Sequence, residues 1–187
     1  MTSIIRTLLA ALWIAGSTVG ISPAASAAVL HMTSPAFADG EKMPNSTVFT
    51  GFGCSGKNES PALTWSGVPS GTKSFALTVF DPDAPTGHGW VHWVAFNIPG
   101  TASGLPANAG AAGNTGGITL GLTDFGTSAY GGPCPPRREL AHHYEFVLYA
   151  LDVPKIELDS TTTLAKLSYT IRGHVRGQAK LIGRYGR

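Results

Sequence analysis

Charge is scarce in this chain. Only 13% of its 187 residues are Asp, Glu, Lys or Arg, and 13 basic residues nearly balance 11 acidic ones, for a formal net of +2. Such a balance supplies no general pull toward nucleic acid. Long apolar runs are missing too: the stretch Thr7 to Val19 covers 13 residues, short of the roughly 20 that cross a bilayer as a helix. Cysteine is limited to Cys54 and Cys134. HExxH, GxSxG and GxxxxGK[ST] are all absent, which removes the usual signatures of a zinc peptidase, a serine hydrolase and a phosphate-cradling loop. No internal repeat is found.

What remains is a chain rich in glycine and proline, 24 and 13 residues respectively. With short apolar runs between them, these residues predict a mainly β fold with long loops. The N-terminus reads as a leader. Arg6 precedes the uncharged run, and Ala25-Ser26-Ala27 has the small-x-small pattern of a signal-peptidase site. Residues 1–27 are therefore expected to be a signal peptide and residues 28–187 one domain, periplasmic or secreted, with no membrane span after cleavage. No Cys stands at the cut to carry a lipid. About 160 residues suffice for one domain that buries roughly 70% of its unfolded surface. Removing Arg6 leaves 12 basic against 11 acidic residues, a net of +1.

In an exported chain a lone cysteine pair is expected to bridge; two packed thiols are the alternative. A Cys54–Cys134 bridge would join the Gly51-Phe52-Gly53 loop to the Gly-Pro-rich loop before His142 and hold two pocket walls together.

Three strands are legible. Ser74 to Phe80 is β-branched and aromatic and stops at Asp81-Pro82, where proline cannot continue a ladder. Val91 to Ile98 follows, and alternation puts His92 on one face with Val94, Phe96 and Ile98. In His142 to Asp152, alternation groups His142, Tyr144, Phe146 and Leu148, with His143 and Glu145 opposite. Gly100 to Gly132 contains ten glycines and reads as a long functional loop. In the tail, Leu164, Leu167, Ile171, Val175 and Ile182 fall near helical spacing. Arg172, Arg176, Lys180 and Arg184 recur every four residues, read as one solvated helix face.

Polar blocks interrupt these runs: Asp81-Pro82-Asp83-Ala84-Pro85, Trp90-Val91-His92-Trp93, Gly131-Gly132-Pro133-Cys134-Pro135-Pro136 and His142-His143-Tyr144. Proton-bearing side chains thus gather at strand ends, where a sheet protein can build a pocket without spoiling its core. In order and spacing the four blocks resemble the phosphatidylethanolamine-binding proteins, and more closely their exported bacterial Raf-kinase-inhibitor-like branch. The likeness runs from about Pro61 to Ala150, with Ile182-Gly183-Arg184-Tyr185 also fitting. It implies a β-sandwich with short flanking helices, a C-terminal helix and one anion pocket built from Asp81, Asp83, His92, Pro133, His142 and Tyr144. His143 stands where the family often has Arg; pointing away from the pocket, it is expected to matter little.

The chemistry can be judged apart from the likeness. A carboxylate that accepts from one imidazole nitrogen raises the histidine pKa and leaves the other nitrogen to donate outward. A small anionic or phosphorylated ligand, phosphoethanolamine-like, suits such a site, with Arg137 and Arg138 near its rim. The chain is expected to be non-catalytic, with neither cofactor nor metal. Two alternatives belong to other classes. One is an exported inhibitor of a protein partner, a protease or a kinase-type enzyme. The other, less favoured, is a hydrolase holding a metal on Asp81, Asp83, His92 and His142.

Overall fold

A computed structural model describes residues 29–113 and 116–187. The expected leader lies outside the described residues. Five antiparallel strands form the main sheet in the order β10-β9-β5-β6-β8. These are β5 (Ser74–Asp81), β6 (Trp90–Pro99), β8 (Thr119–Leu120), β9 (His142–Leu151) and β10 (Val175–Tyr185). A smaller sheet orders β1 (His31–Thr33), β4 (Leu63–Ser66) and β7 (Gly104–Leu105) as β1-β4-β7, and β2 (Thr50–Gly51) pairs with β3 (Cys54–Ser55).

Two cores sit on opposite faces of the main sheet. On one face, Met32, Leu63, Trp65 and Leu105 of the small sheet pack against Phe75, Leu77, Trp93, Phe146 and Leu148. On the other, Leu167 and Ile171 of α1 (Leu164–Ile171) cover Ala76, Val94, Phe96 and Leu151. Alternation along β5 explains the division, since adjacent residues such as Ala76 and Leu77 enter different cores. The architecture is the expected β-sandwich; where the resemblance implies short flanking helices, the described residues hold the single α-helix α1.

Two local expectations need correction. The tail is helical only from Leu164 to Ile171, after Thr163 caps the first turn by accepting from the Lys166 amide. Beyond it the chain becomes β10, eleven residues paired along β9. A spacing of four fits a helix face, but being even it also fits one face of a strand. Gly173 and Gly177 disfavour a helix here, while Ala179 and Leu181 turn into the sandwich core. Arg176 pairs with Asp152, and Lys180 lies 2.8 Å from Glu145; the acids come from β9 and its end, not from the tail itself.

The second correction concerns β6. Val79 pairs with Trp93 but Phe80 pairs with Val91, leaving His92 as an extra residue on the longer side of a bulge. His92 therefore leaves the face of Val94 and Phe96 and turns to the sandwich side. A second register shift follows between Phe75 and Leu77, beside Asn97 at φ 58°, and returns Ile98 to the sandwich core. Simple alternation puts His92 on the wrong face.

Candidate functional site

The ends of β5, β6 and β9 meet at one edge of the sandwich. Asp81 ends β5, where its Oδ1 accepts from the Asp83 amide at 2.9 Å and turns the chain at Pro82. Gly89, at φ 76°, returns the chain to β6; a Cβ there would lie 2.7 Å from the Asp81 carbonyl oxygen. Trp90 is thereby set opposite Asp81. On β9, His142 and Tyr144 face the sandwich side and are almost fully buried.

Asp81, His92, His142 and Tyr144 form the base of a cleft of about 240 Å³. Its walls are Trp90, Phe125 and Phe52, the segment Ala84 to Thr86, and Cys134 to Pro136. The Cys54–Cys134 disulfide is present, with Cα atoms 6.0 Å apart, and ties the Phe52 wall to the proline wall. Arg187 fastens the same two loops, donating from Nε to the Pro135 carbonyl at 2.7 Å and from Nη1 to the Gly53 carbonyl at 2.7 Å. Gly132 lets the proline wall approach the chain at Thr47, where a Cβ would come within 2.0 Å of the carbonyl oxygen.

The two histidines differ in protonation. His142 Nδ1 lies 2.8 Å from Asp81 Oδ2, and its Nε2 lies 3.0 Å from Glu139 Oε2. Carboxylates accept, so the protonated ring, donating from both nitrogens, satisfies both contacts. Burial pushes its pKa down, but the hydrogen bonds with Asp81 and Glu139 outweigh this and raise it. His92 Nδ1 lies 2.6 Å from the Gly131 carbonyl oxygen. Burial pushes this imidazole down to about 4, against smaller opposing effects of that carbonyl and of Asp81, so the ring is neutral near pH 7. Its edge-on neighbours are Tyr144 and Phe125, with ring centroids at 5.0 and 5.4 Å.

Two donors on residues that line the cleft lack partners. Tyr144 Oη and Trp90 Nε1 are buried with no hydrogen-bond partner among the described residues. Burial, then the nearby Asp81 carboxylate, pushes the Tyr144 phenol well above its ordinary range, so its proton stays in place. By contrast, Thr86 Oγ1 donates to the Gly89 carbonyl at 2.6 Å.

Four of the six sequence-predicted pocket residues therefore meet. Asp83 and Pro133 stand elsewhere. Pro133 is buried behind the wall, its carbonyl accepting from the Phe49 amide. Asp83 turns outward, and its Oδ2 accepts from the His143 amide at 2.8 Å and from His143 Nδ1 at 2.7 Å. Burial raises the Asp83 pKa, but these two bonds outweigh it and the carboxyl sits below its usual range. His143 thus points away from the cleft, as expected, yet it decides where Asp83 goes. With Asp83 removed, the four candidate metal ligands do not converge, and no metal-holding group of His, Cys, Asp and Glu occurs among the described residues. Arg137 and Arg138 are exposed and do not line the cleft.

Phe125 and Glu139 escaped the sequence reading. Phe125 is one of two aromatics in the Gly100–Gly132 loop. It reaches the cleft because Asp124 Oδ2 accepts from the Val91 amide at 2.7 Å while the Asp124 amide donates to the Val91 carbonyl at 3.1 Å. Glu139 stands three residues before His142 in irregular chain, where no periodicity marks it.

Comparison with known proteins identifies relatives of this chain. The family profile for phosphatidylethanolamine-binding protein matches residues 33–186. The UPF0098 protein YbcL of Escherichia coli is 47% identical over 164 residues, covering 86% of this chain and 90% of that protein. Its crystal structure, titled as a new member of the mammalian family, superposes with a TM-score of 0.82 at 46% identity over 84% of this chain and 98% of that one. A homologue from Chlamydia trachomatis gives a TM-score of 0.74 at 32% identity, covering 86% and 99%. The Mycobacterium tuberculosis protein named "Putative lipoprotein LppC" is 39% identical over 88% of this chain and 76% of its own length.

Proposed function

This chain belongs to the phosphatidylethanolamine-binding protein family, and we propose that it is an exported, non-catalytic binding protein whose cleft takes a small oxyanion, such as phosphate or a phosphoryl headgroup. The observation that carries this reading is the pair of buried, unpartnered donors, Tyr144 Oη and Trp90 Nε1, on residues that line the same cleft as His142. Burying a donor without an acceptor costs roughly 1–3 kcal/mol. An oxyanion offers acceptors to donors of this kind.

A volume of about 240 Å³ lies just below the roughly 300 Å³ at which drug-sized sites begin, so it suits a headgroup rather than a whole lipid. Against catalysis, the Thr86 hydroxyl is engaged and Cys134 is oxidised, so neither offers a nucleophile. Export is supported by the leader-like residues 1–27, by the disulfide and by the name of the mycobacterial relative.

The test is a calorimetric titration with O-phosphoethanolamine at pH 7 on the protein and on Tyr144→Phe. Saturable binding weakened at least about tenfold in Tyr144→Phe is expected, since one charge-assisted hydrogen bond is lost. Absence of binding at millimolar ligand would overturn the reading and favour capture of a protein partner.

A further inference from the structure

We propose that Arg187 is a positioning residue for the cleft. Its guanidinium sets the direction of the strained turn at Phe52 and so holds the aromatic wall in place for the ligand. The inference rests on the oxyanion reading above and adds to it what keeps the site in shape.

The Phe52 wall is built from chain with little to hold it locally. Gly51, Phe52 and Gly53 follow one another at φ 136°, 50° and 77°. Glycine adopts positive φ freely, whereas a bulky aromatic there is an outlier that persists only where its surroundings impose it. The strands on either side are two residues each, pairing Thr50 with Ser55 and Gly51 with Cys54. Burial contributes little at the tip, because Phe52 is 71% exposed. Its ring stacks on Phe49 and Phe125, at centroid distances of 5.3 and 6.2 Å, but ring contacts do not fix the peptide groups of the turn.

Two tethers reach this segment, and they differ in kind. The disulfide limits how far Cys54 can move from Cys134, yet it attaches past the turn. Bridged sulfur carries no hydrogen, so Cys134 Sγ, 3.7 Å from the Phe52 carbonyl oxygen, donates nothing to it. The Arg187 guanidinium reaches the turn itself. Nη2 donates to the Phe52 carbonyl at 3.2 Å and Nη1 to the Gly53 carbonyl at 2.7 Å, while Nε donates to the Pro135 carbonyl at 2.7 Å. A planar fork with donors in fixed directions orients these peptide groups together. The Arg187 carbonyl accepts from the Arg138 amide at 3.3 Å, which anchors the fork to the chain leaving the proline wall. Phe52 and Pro135 line the cleft and Arg187 does not. Arg187 therefore acts through the walls, and the shape of its head, not its charge, does the positioning.

The experiment is a calorimetric titration with O-phosphoethanolamine at pH 7 on the protein, Arg187→Lys and Arg187→Gln, in about 0.01 M and about 0.15 M salt. Both variants are expected to bind roughly threefold to tenfold more weakly, the cost of ordering side chains at the mouth anew. The factor should be the same at both salt concentrations. Lysine keeps the charge but replaces the directed fork with a point donor. Backbone nitrogen relaxation gives a second reading that needs neither ligand nor variant: the Phe52 and Gly53 amides of the unaltered protein should have order parameters of about 0.85. Those values should fall in both variants. Arg187→Lys binding as tightly as the unaltered protein, a loss confined to Arg187→Gln and erased by salt, or order parameters below about 0.6 with Arg187 in place would each overturn the inference while leaving the oxyanion site standing. No binding by the unaltered protein would remove the oxyanion reading, and with it the role assigned to Arg187.

Discussion

The inner cleft and the outer shelf on the far side of His142 are built from the same residue types, and they are wired in opposite ways. On the shelf, Asp83 is bound by the backbone and ring of His143, and Glu139 caps the second nitrogen of His142. All of these side chains except His142 are substantially exposed. Among the residues that line the cleft, Tyr144 and Trp90 each keep a buried donor unpaired. Polar atoms that pair with one another hold a structure together. Buried polar atoms left unpaired call for an explanation, and a bound ligand is one. His142 belongs to both regions, as a charged partition fixed by one carboxylate from each side.

Removing the inner carboxylate should have the largest effect. Asp81→Ala leaves the buried His142 Nδ1–H and the Asp83 amide without an acceptor, and breaking a buried pair in this way costs about 3 kcal/mol. Urea denaturation near pH 7 measures it, and a loss under about 1 kcal/mol would mean that Asp81 is not the inner support of the partition.

Acid comes next. His92 titrates near 6.5 when unfolded and at about 4 in the fold, so between those values the unfolded chain binds more protons. Its contribution to stability falls as pH drops from about 6.5 to 4, by up to about 3 kcal/mol, and changes no further below. The raised His142 pKa acts with the opposite sign: its contribution is full below about 6.5 and is lost as pH rises through the folded value. Denaturation across this range should show the His92 slope vanish in His92→Asn.

Glu139→Gln should be the mildest change. It replaces a half-exposed carboxylate, so stability should move by less than about 1 kcal/mol, while the His142 pKa, followed by NMR, falls. An unchanged pKa would show that the shelf does not tune the partition.

Much of the inner cleft was legible in sequence, and the reasons are local. Asp81-Pro82 had to end a strand, and clean alternation from His142 through Leu148 put His142 and Tyr144 on the core face. His92 was found but given the wrong face, because a bulge adds one residue without disturbing the apolar character of the strand. The direction of Asp83 depended on a partner sixty residues away, His143. Phe125 and Glu139 are positioned by loop hydrogen bonds rather than by any period. The tail misled because a spacing of four is compatible with helix and strand alike.

The most direct test of this account is a long-range proton–nitrogen NMR spectrum of the histidine rings at pH 7, before and after adding O-phosphoethanolamine. The account predicts protons on both nitrogens of His142, a proton on Nδ1 alone in His92, and a saturable ligand-induced shift of the His92 ring. A protonated His92 Nε2 in the free protein, or a ring that ignores saturating ligand, would contradict it.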